Sequence, residues 1–296
     1  MTVNTTVARK GRKSKKNSQV KEIWRRFKKS KTAMLGLALL VFVVGIAVFA
    51  DLIVPYEKAV EQNIVDRLQG PSAAHFFGTD ETGRDLFARI VHGSRYSLAI
   101  GISTTVISMI IGGFLGAIAA YYGGWVDNVI MRLTDVVMTV PPILLSLAVV
   151  AALGSSLRNL LIAITVSCVP GIIRMVRSVV LGVVEEDYIE AARSYGTSDM
   201  RIILKYVVPN AMGPIIVTAT MNVATMILSA SGLSFLGMGV RPPAPEWGAL
   251  LSDAETYMFQ ALHLLYIPGF FIVIAALSFN LAGDGLRDAL DPKLKS

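Results

Sequence analysis

Six stretches of the chain contain no Asp, Glu, Lys or Arg: Thr32–Ala50, Tyr96–Val126, Val136–Leu157, Asn159–Ile173, Tyr206–Val240 and Thr256–Gly283. A helix needs roughly 20 apolar residues to cross a hydrocarbon core of about 30 Å. All but Asn159–Ile173 meet that length, and there Arg174 and Arg177 can snorkel from the end of the run to the interface. A buried soluble helix could mimic one such run, but hardly six. Backbone groups in lipid must be satisfied within the segment, and no strand-like alternation is present, so the runs are expected to be helices. The expected fold is an all-α integral membrane protein with six transmembrane helices. Composition points the same way. Only 17% of the 296 residues are charged, against about 25% in an ordinary soluble domain.

The charge that remains is unevenly placed. The first 32 residues hold 12 Lys/Arg and a single acid, Glu22. A basic tail running directly into an apolar stretch reads as attraction to a membrane surface rather than to nucleic acid. That basic region is too long, and the apolar run after it too extended, for a cleavable signal peptide. With the N-terminus in the cytoplasm, the inner side holds 21 bases and 11 acids, the outer side 7 and 10. This bias orients membrane proteins, and an even number of helices returns the C-terminus to the same side. Both termini are therefore expected in the cytoplasm.

Two features suggest how the helices pack. Thr104, Ser108, Gly112, Gly116 and Ala120 recur every fourth residue, and small residues at this spacing let helix backbones approach closely in lipid. Pro141-Pro142, Pro209 and Pro214 should kink or end their helices.

The segment Glu185–Asn210, EEDYIEAARSYGTSDMRIILKYVVPN, lies on the cytoplasmic side by this count. Tyr188, Ala191, Ala192 and Tyr195 share one face of a short helix. Gly196 stands where a helix ends with positive φ. Thr197 or Ser198 can cap a second helix with the stripe Met200, Ile203, Leu204 and Val207, and Pro209 hands over to the next membrane run. The acids Glu185, Glu186, Asp187 and Glu190 argue against a pair of helices resting on anionic lipid. A small face flanked by charge suits a groove on a protein partner.

Glu190-Ala191-Ala192, then Gly196, then an apolar stretch closing in Pro209, resembles the EAA loop of bacterial ABC-importer permeases. Four further blocks resemble the dipeptide/oligopeptide/nickel permease family, in particular its C-type subunit: Gly78–Asp85, Ser234–Gly239, Pro245–Gly248 and Gly283–Pro292. The likeness spans about residues 20 to 296. It implies a type I ABC importer permease fold in a bacterial inner membrane. The implied partners are a homologous second permease, two ATPase subunits that bind the ATP, and an extracytoplasmic solute-binding protein. Glu190, Ala191, Ala192, Gly196 and Pro209 would belong to the coupling loop, 185–205, that docks on an ATPase. The implied organisation is a basic tail at 1–32, a first helix and extracytoplasmic segment at 33–95, a core of five helices at 96–285, and a cytoplasmic C-terminus at 286–296. Peptides lead as the implied solute, with nickel, other complexed metals and short glycans behind. Ser229 and Ala230 stand where many members carry an acid, which leaves a weakly polar path with no acidic contact for a solute amine.

The remaining motifs read as structural. In Gly78–Asp85, Thr79 or Asp80 suits an N-cap with Arg84 and Asp85 paired locally. Trp247 fits an interfacial tryptophan, His263 a lone interfacial histidine, and Cys168 a small apolar residue. With one cysteine and three scattered histidines there is no metal cluster. No GxxxxGK[ST] occurs, so the chain itself should bind no nucleotide, and no triad or other catalytic constellation is present. The alternative reading, an ion-coupled secondary carrier, requires ionisable groups within the membrane, of which the runs contain almost none.

Overall fold

The computed structural model describes residues 21–290. Most of the basic tail, 1–20, and the last six residues, 291–296, lie outside the described part. Among the described residues the regular elements are helices, with one isolated β-bridge between Thr79 and Asp85. The main ones are α1 (Lys31–Val48), α2 (Leu86–Tyr122), α3 (Gly124–Met138), α4 (Pro142–Leu153), α5 (Leu157–Val184), α6 (Asp187–Ser194), α7 (Asp199–Ile202), α8 (Val208–Leu233), α9 (Trp247–Glu255) and α10 (His263–Leu290).

Five helices are long and apolar enough to span a bilayer: α1, α2, α5, α10 and the continuous stretch Asp199–Met238 that contains α8. A sixth span, counted where a bent pair of helices is taken as one, shows the break expected at Pro141-Pro142. It is the pair α3 and α4, bent by 81°. Pro141 is extended, at φ −54° and ψ 134°, because the ring of Pro142 bars the helical region to the residue before it. Pro142 then opens α4, where its missing N–H is harmless. The fourth run presents no length problem, since α5 continues for 28 residues to Val184. Arg174 and Arg177 do not simply snorkel but pair with α3. Arg177 holds Asp127 through two hydrogen bonds, each of 2.5 Å, and Arg174 bonds Asp135.

The longest helix sets the scale. At 1.5 Å per residue, the 37 residues of α2 reach about 55 Å, beyond the hydrocarbon at one or both ends. It starts ten residues before its charge-free run. Its first turn is capped by Asp85, whose carboxylate accepts from the Ala88 N–H at 2.9 Å. Residues 51–85 and α9 gather around this end, while the other reaches α6 and α7. The small-residue stripe faces α5. A Cβ at Gly112 would stand 2.7 Å from Ile172 Cγ2, and one at Gly116 would stand 2.6 Å from the Ile173 carbonyl oxygen. Thr104 and Ser108 are fully buried and Ala120 nearly so. Without Cβ atoms at the two glycines, the helices pack backbone against side chain.

Candidate functional site

Residues 185–207 are built into the bundle. Ile189, Ala192, Ile202, Ile203 and Val207 are buried in one cluster with Ala117, Ala120 and Tyr121 of α2 and Val176 and Val180 of α5. Helix α6 ends in a Schellman motif. The Gly196 N–H donates to the Arg193 carbonyl at 2.9 Å and the Thr197 N–H to the Ala192 carbonyl at 3.2 Å. Gly196 has φ +72°, a region glycine enters at no steric cost. Ser198 takes the N-cap position of α7, although its side chain makes no capping bond. A second tie runs to α2. The Tyr121 hydroxyl donates to Asp199 Oδ1 at 2.7 Å, and the Arg193 guanidinium lies 4.7 Å from the Tyr121 ring centre.

The buried and exposed faces differ from the stripes read in the sequence. On α6, Ala192 packs inward beside Ile189, whereas Tyr188, Glu190 and Ala191 point outward and Tyr195 is 90% exposed. The inward face is thus Ile189 and Ala192. Tyr188, Ala191 and Tyr195 form an outward face with a small residue at its middle. In the second helix Met200 and Leu204 are exposed while Ile202, Ile203 and Val207 are buried. The reason is a π-helical turn over Ile203–Val207, which widens the helix and shifts the register the periodicity assumed. Pro209 follows in the first turn of α8, exposed. Sequence reasoning missed Ile189, Arg193, Asp199 and Tyr121. The signal for Tyr121 was an aromatic pair, Tyr121-Tyr122, closing an apolar run just before Gly123-Gly124.

At the opposite end of α2, residues Gly78–Asp85 form a charged knot. Asp80 is buried and accepts from the Thr82 N–H at 2.8 Å, the Arg84 N–H at 3.0 Å, Arg84 Nε at 2.7 Å and the Arg89 guanidinium. Arg84 also bonds Glu81 at 2.8 Å, and Arg89 lies 3.7 Å from Asp253 of α9. The cap of α2 is therefore Asp85, not Thr79 or Asp80, and Arg84 pairs with Asp80 and Glu81 rather than with Asp85. Burial alone would raise the Asp80 carboxyl, but Arg89 and Arg84 outweigh it and hold it below the usual carboxylate range. Glu81 and Asp253 are both raised, chiefly by burial.

Trp247 is not interfacial. It is fully buried, its indole N–H donating to the Ile90 carbonyl at 3.0 Å. Gly93 makes the slot, since a Cβ there would meet the Pro245 carbonyl oxygen at 2.2 Å. Glu246, also buried, caps α9 by accepting from the Gly248 and Ala249 N–H groups, each at 2.9 Å. His263 is buried under the Gly78 turn. Cys168 is half-buried beside Met226. Ser229 borders a cavity between α4, α5 and α8, whereas Ala230 is buried in the core.

Long apolar helices packed as a bundle, with residues 185–207 seated against α2 and α5, define the class as an all-α integral membrane protein. Residues 112–296 match the family described as the binding-protein-dependent transport system inner membrane component, and residues 18–71 match the N-terminal transmembrane domain of oligopeptide transport permease C. The dipeptide transport system permease protein DppC of Alkalihalophilus pseudofirmus is 48% identical over 276 residues, covering 93% of this chain and 90% of that protein. The glutathione transport system permease protein GsiD of Pectobacterium atrosepticum is 44% identical, covering 93% of this chain and 92% of its own length. Inward-facing MetNI, a methionine ABC transporter, shares the fold with a TM-score of 0.59 at 20% identity, over 70% of this chain and 98% of that one. The chain belongs to the family of inner-membrane permease subunits of ABC importers.

Proposed function

We propose that this permease forms half of a peptide-translocating pathway, and that the outward face of α6 is its contact with an ATPase subunit. Its complex contains a homologous second permease, two ATPases and an extracytoplasmic binding protein, with both of its own termini in the cytoplasm. The solute class follows the names of its relatives, dipeptide and glutathione permeases; glutathione is itself a short peptide. The observation that carries the coupling role is the division of α6 into a buried Ile189/Ala192 side and an exposed Tyr188/Ala191/Tyr195 side. The first fixes the loop to α2 and α5, and the second is free to seat in a groove. Force on α6 would then pass into the membrane helices as a rigid-body displacement, as alternating access requires.

The test is copurification of the ATPases with the permease, alongside uptake of labelled dipeptide. Ala191→Trp adds bulk to the exposed face only, so the chain should still reach the membrane while ATPases and uptake are lost. Full uptake by this variant would remove α6 from the coupling role. A reporter fused after Gly70 tests orientation and should read outside. One fused after Ser198 should read cytoplasmic.

A further inference from the structure

Helix α8 carries Thr218, Asn222, Thr225 and Ser229 at spacings of four, three and four residues, which places all of them on one face. That face borders a cavity of about 470 Å³ between α4, α5 and α8. The far wall is mostly apolar, with Leu145, Cys168 and Met175. The hydroxyl of Thr218 is satisfied by the Pro214 carbonyl of its own helix at 3.0 Å. Asn222 differs. Its side chain is half-buried and makes no hydrogen bond among the described residues, and it stands near the middle of a 26-residue membrane helix. A half-buried amide with no partner among the described residues is left to pair with whatever occupies the cavity.

Resting on the peptide-permease reading above, we propose that Asn222 is a solute-reading residue, whose amide pairs with a backbone peptide group passing through this cavity. The chemistry favours that ligand class. A primary amide offers a donor and an acceptor, which matches the C=O and N–H of a peptide unit. It carries no charge, so it reads what all peptides share and tolerates what differs. The volume is within the range that holds a small ligand. Cys168, across the cavity, and Ser229, further along the face, line the same space.

The experiment uses the assembled transporter in proteoliposomes, with dialanine as solute. In a Cys168→Ala background, Asn222→Cys should react with a membrane-impermeant thiosulfonate reagent, and dialanine supplied with its binding protein should slow that reaction. Asn222→Leu should lower dialanine uptake about tenfold, the weight of one hydrogen bond to a desolvated polar group, with both ATPases and the second permease still copurifying. Asn222→Gln should recover part of the loss. Absence of labelling, or uptake by Asn222→Leu within about twofold of the parent, would overturn the proposal, since a lost hydrogen bond should cost more. Release of the second permease by Asn222→Leu would also overturn it, assigning the amide to a helix–helix contact. If the parent transporter moves no peptide at all, the peptide-permease reading falls and the ligand assignment with it. Labelling of Asn222→Cys reports separately whether the face is aqueous.

Discussion

The hydroxyl of Tyr121, in the last turn of α2, donates to Asp199 at the start of α7 across 2.7 Å. It joins the helix that runs the full depth of the bundle to the loop carrying the proposed ATPase contact. Tyr121 is buried, and Arg193 of α6 covers its ring. One side chain thus holds both short helices against the core.

Tyr121→Phe keeps the ring and the cation above it and removes only the hydroxyl. The expected loss is about 1 kcal/mol of local stability, the usual net worth of such a bond. The transporter should still assemble, but peptide uptake per ATP hydrolysed should fall, because the loop can move without α2. Asp199→Asn should have a similar effect, and combining the two should add little, as expected for partners in one contact. Simple additivity of the two effects would show that the bond does not transmit.

Ala191 and Ala192 are neighbours in sequence with opposite fates in the structure. Ala191→Trp should leave membrane abundance normal and abolish ATPase binding. Ala192→Trp should lower abundance, because a large ring cannot enter the packed cluster with Ile189 and Val176 without forcing it apart. Gly196→Val belongs with neither. Nothing lies within 4 Å of a Cβ built there, so its penalty is conformational. It arises from φ +72°, a true outlier for a β-branched residue, with a cost of order 1–3 kcal/mol. Abundance and copurification measured side by side separate the three variants.

Much of this was legible in the sequence, for identifiable reasons. Charge-free runs find membrane helices because lipid permits no other open backbone, and Gly196 marked the loop's turn because little else tolerates its φ. Pro141 and Pro142 marked the break in their run, though not its angle of 81°. Two things were not legible. The π-helical turn at Ile203–Val207 shifts a stripe that a 3.6-residue period misassigns. Trp247 is buried because Gly93, distant in sequence, opens a slot for it, which no local pattern records. The charges of Gly78–Asp85 were visible, but not that Arg89, beyond the motif, would close the knot. At the site, Ala191 and Ala192 were found together, and only packing told them apart.

Asp80→Asn should be among the most destabilising single changes outside the membrane. It leaves Arg84 and Arg89 buried with one countercharge fewer, and breaking a buried pair in this way costs about 3–5 kcal/mol. The pH dependence has a definite sign. Because the folded carboxyl lies below its ordinary value, its contribution is fully present above about pH 4, the unfolded value. It is lost as pH falls through the folded value. Glu81 and Asp253 are shifted upward and act in the opposite direction, so the informative quantity is the difference between parent and variant. Thermal unfolding in detergent should show that difference large at neutral pH and shrinking below about pH 4. A difference that does not change with pH would mean that the Asp80 charge is not what stabilises the knot.

Gly112, Gly113 and Gly116 offer an internal comparison within one helix. A Cβ at Gly116 would meet the Ile173 carbonyl oxygen at 2.6 Å, and backbone cannot swing aside. A Cβ at Gly112 would meet the side chain of Ile172 at 2.7 Å, which can partly yield by changing rotamer. At Gly113 a Cβ would have nothing within 4 Å. Substitution by Ala should therefore destabilise in the order Gly116, Gly112, Gly113. Gly116→Ala should cost about 1–3 kcal/mol, as overpacking does, because α2 and α5 must separate to admit the methyl group. Gly113→Ala should be neutral or stabilising by up to about 1 kcal/mol, since alanine is the better helix former. Thermal unfolding of the purified chain gives the ranking. An equal effect at all three positions would mean that glycine serves α2 through flexibility rather than close approach, and the α2–α5 contact would lose its steric basis.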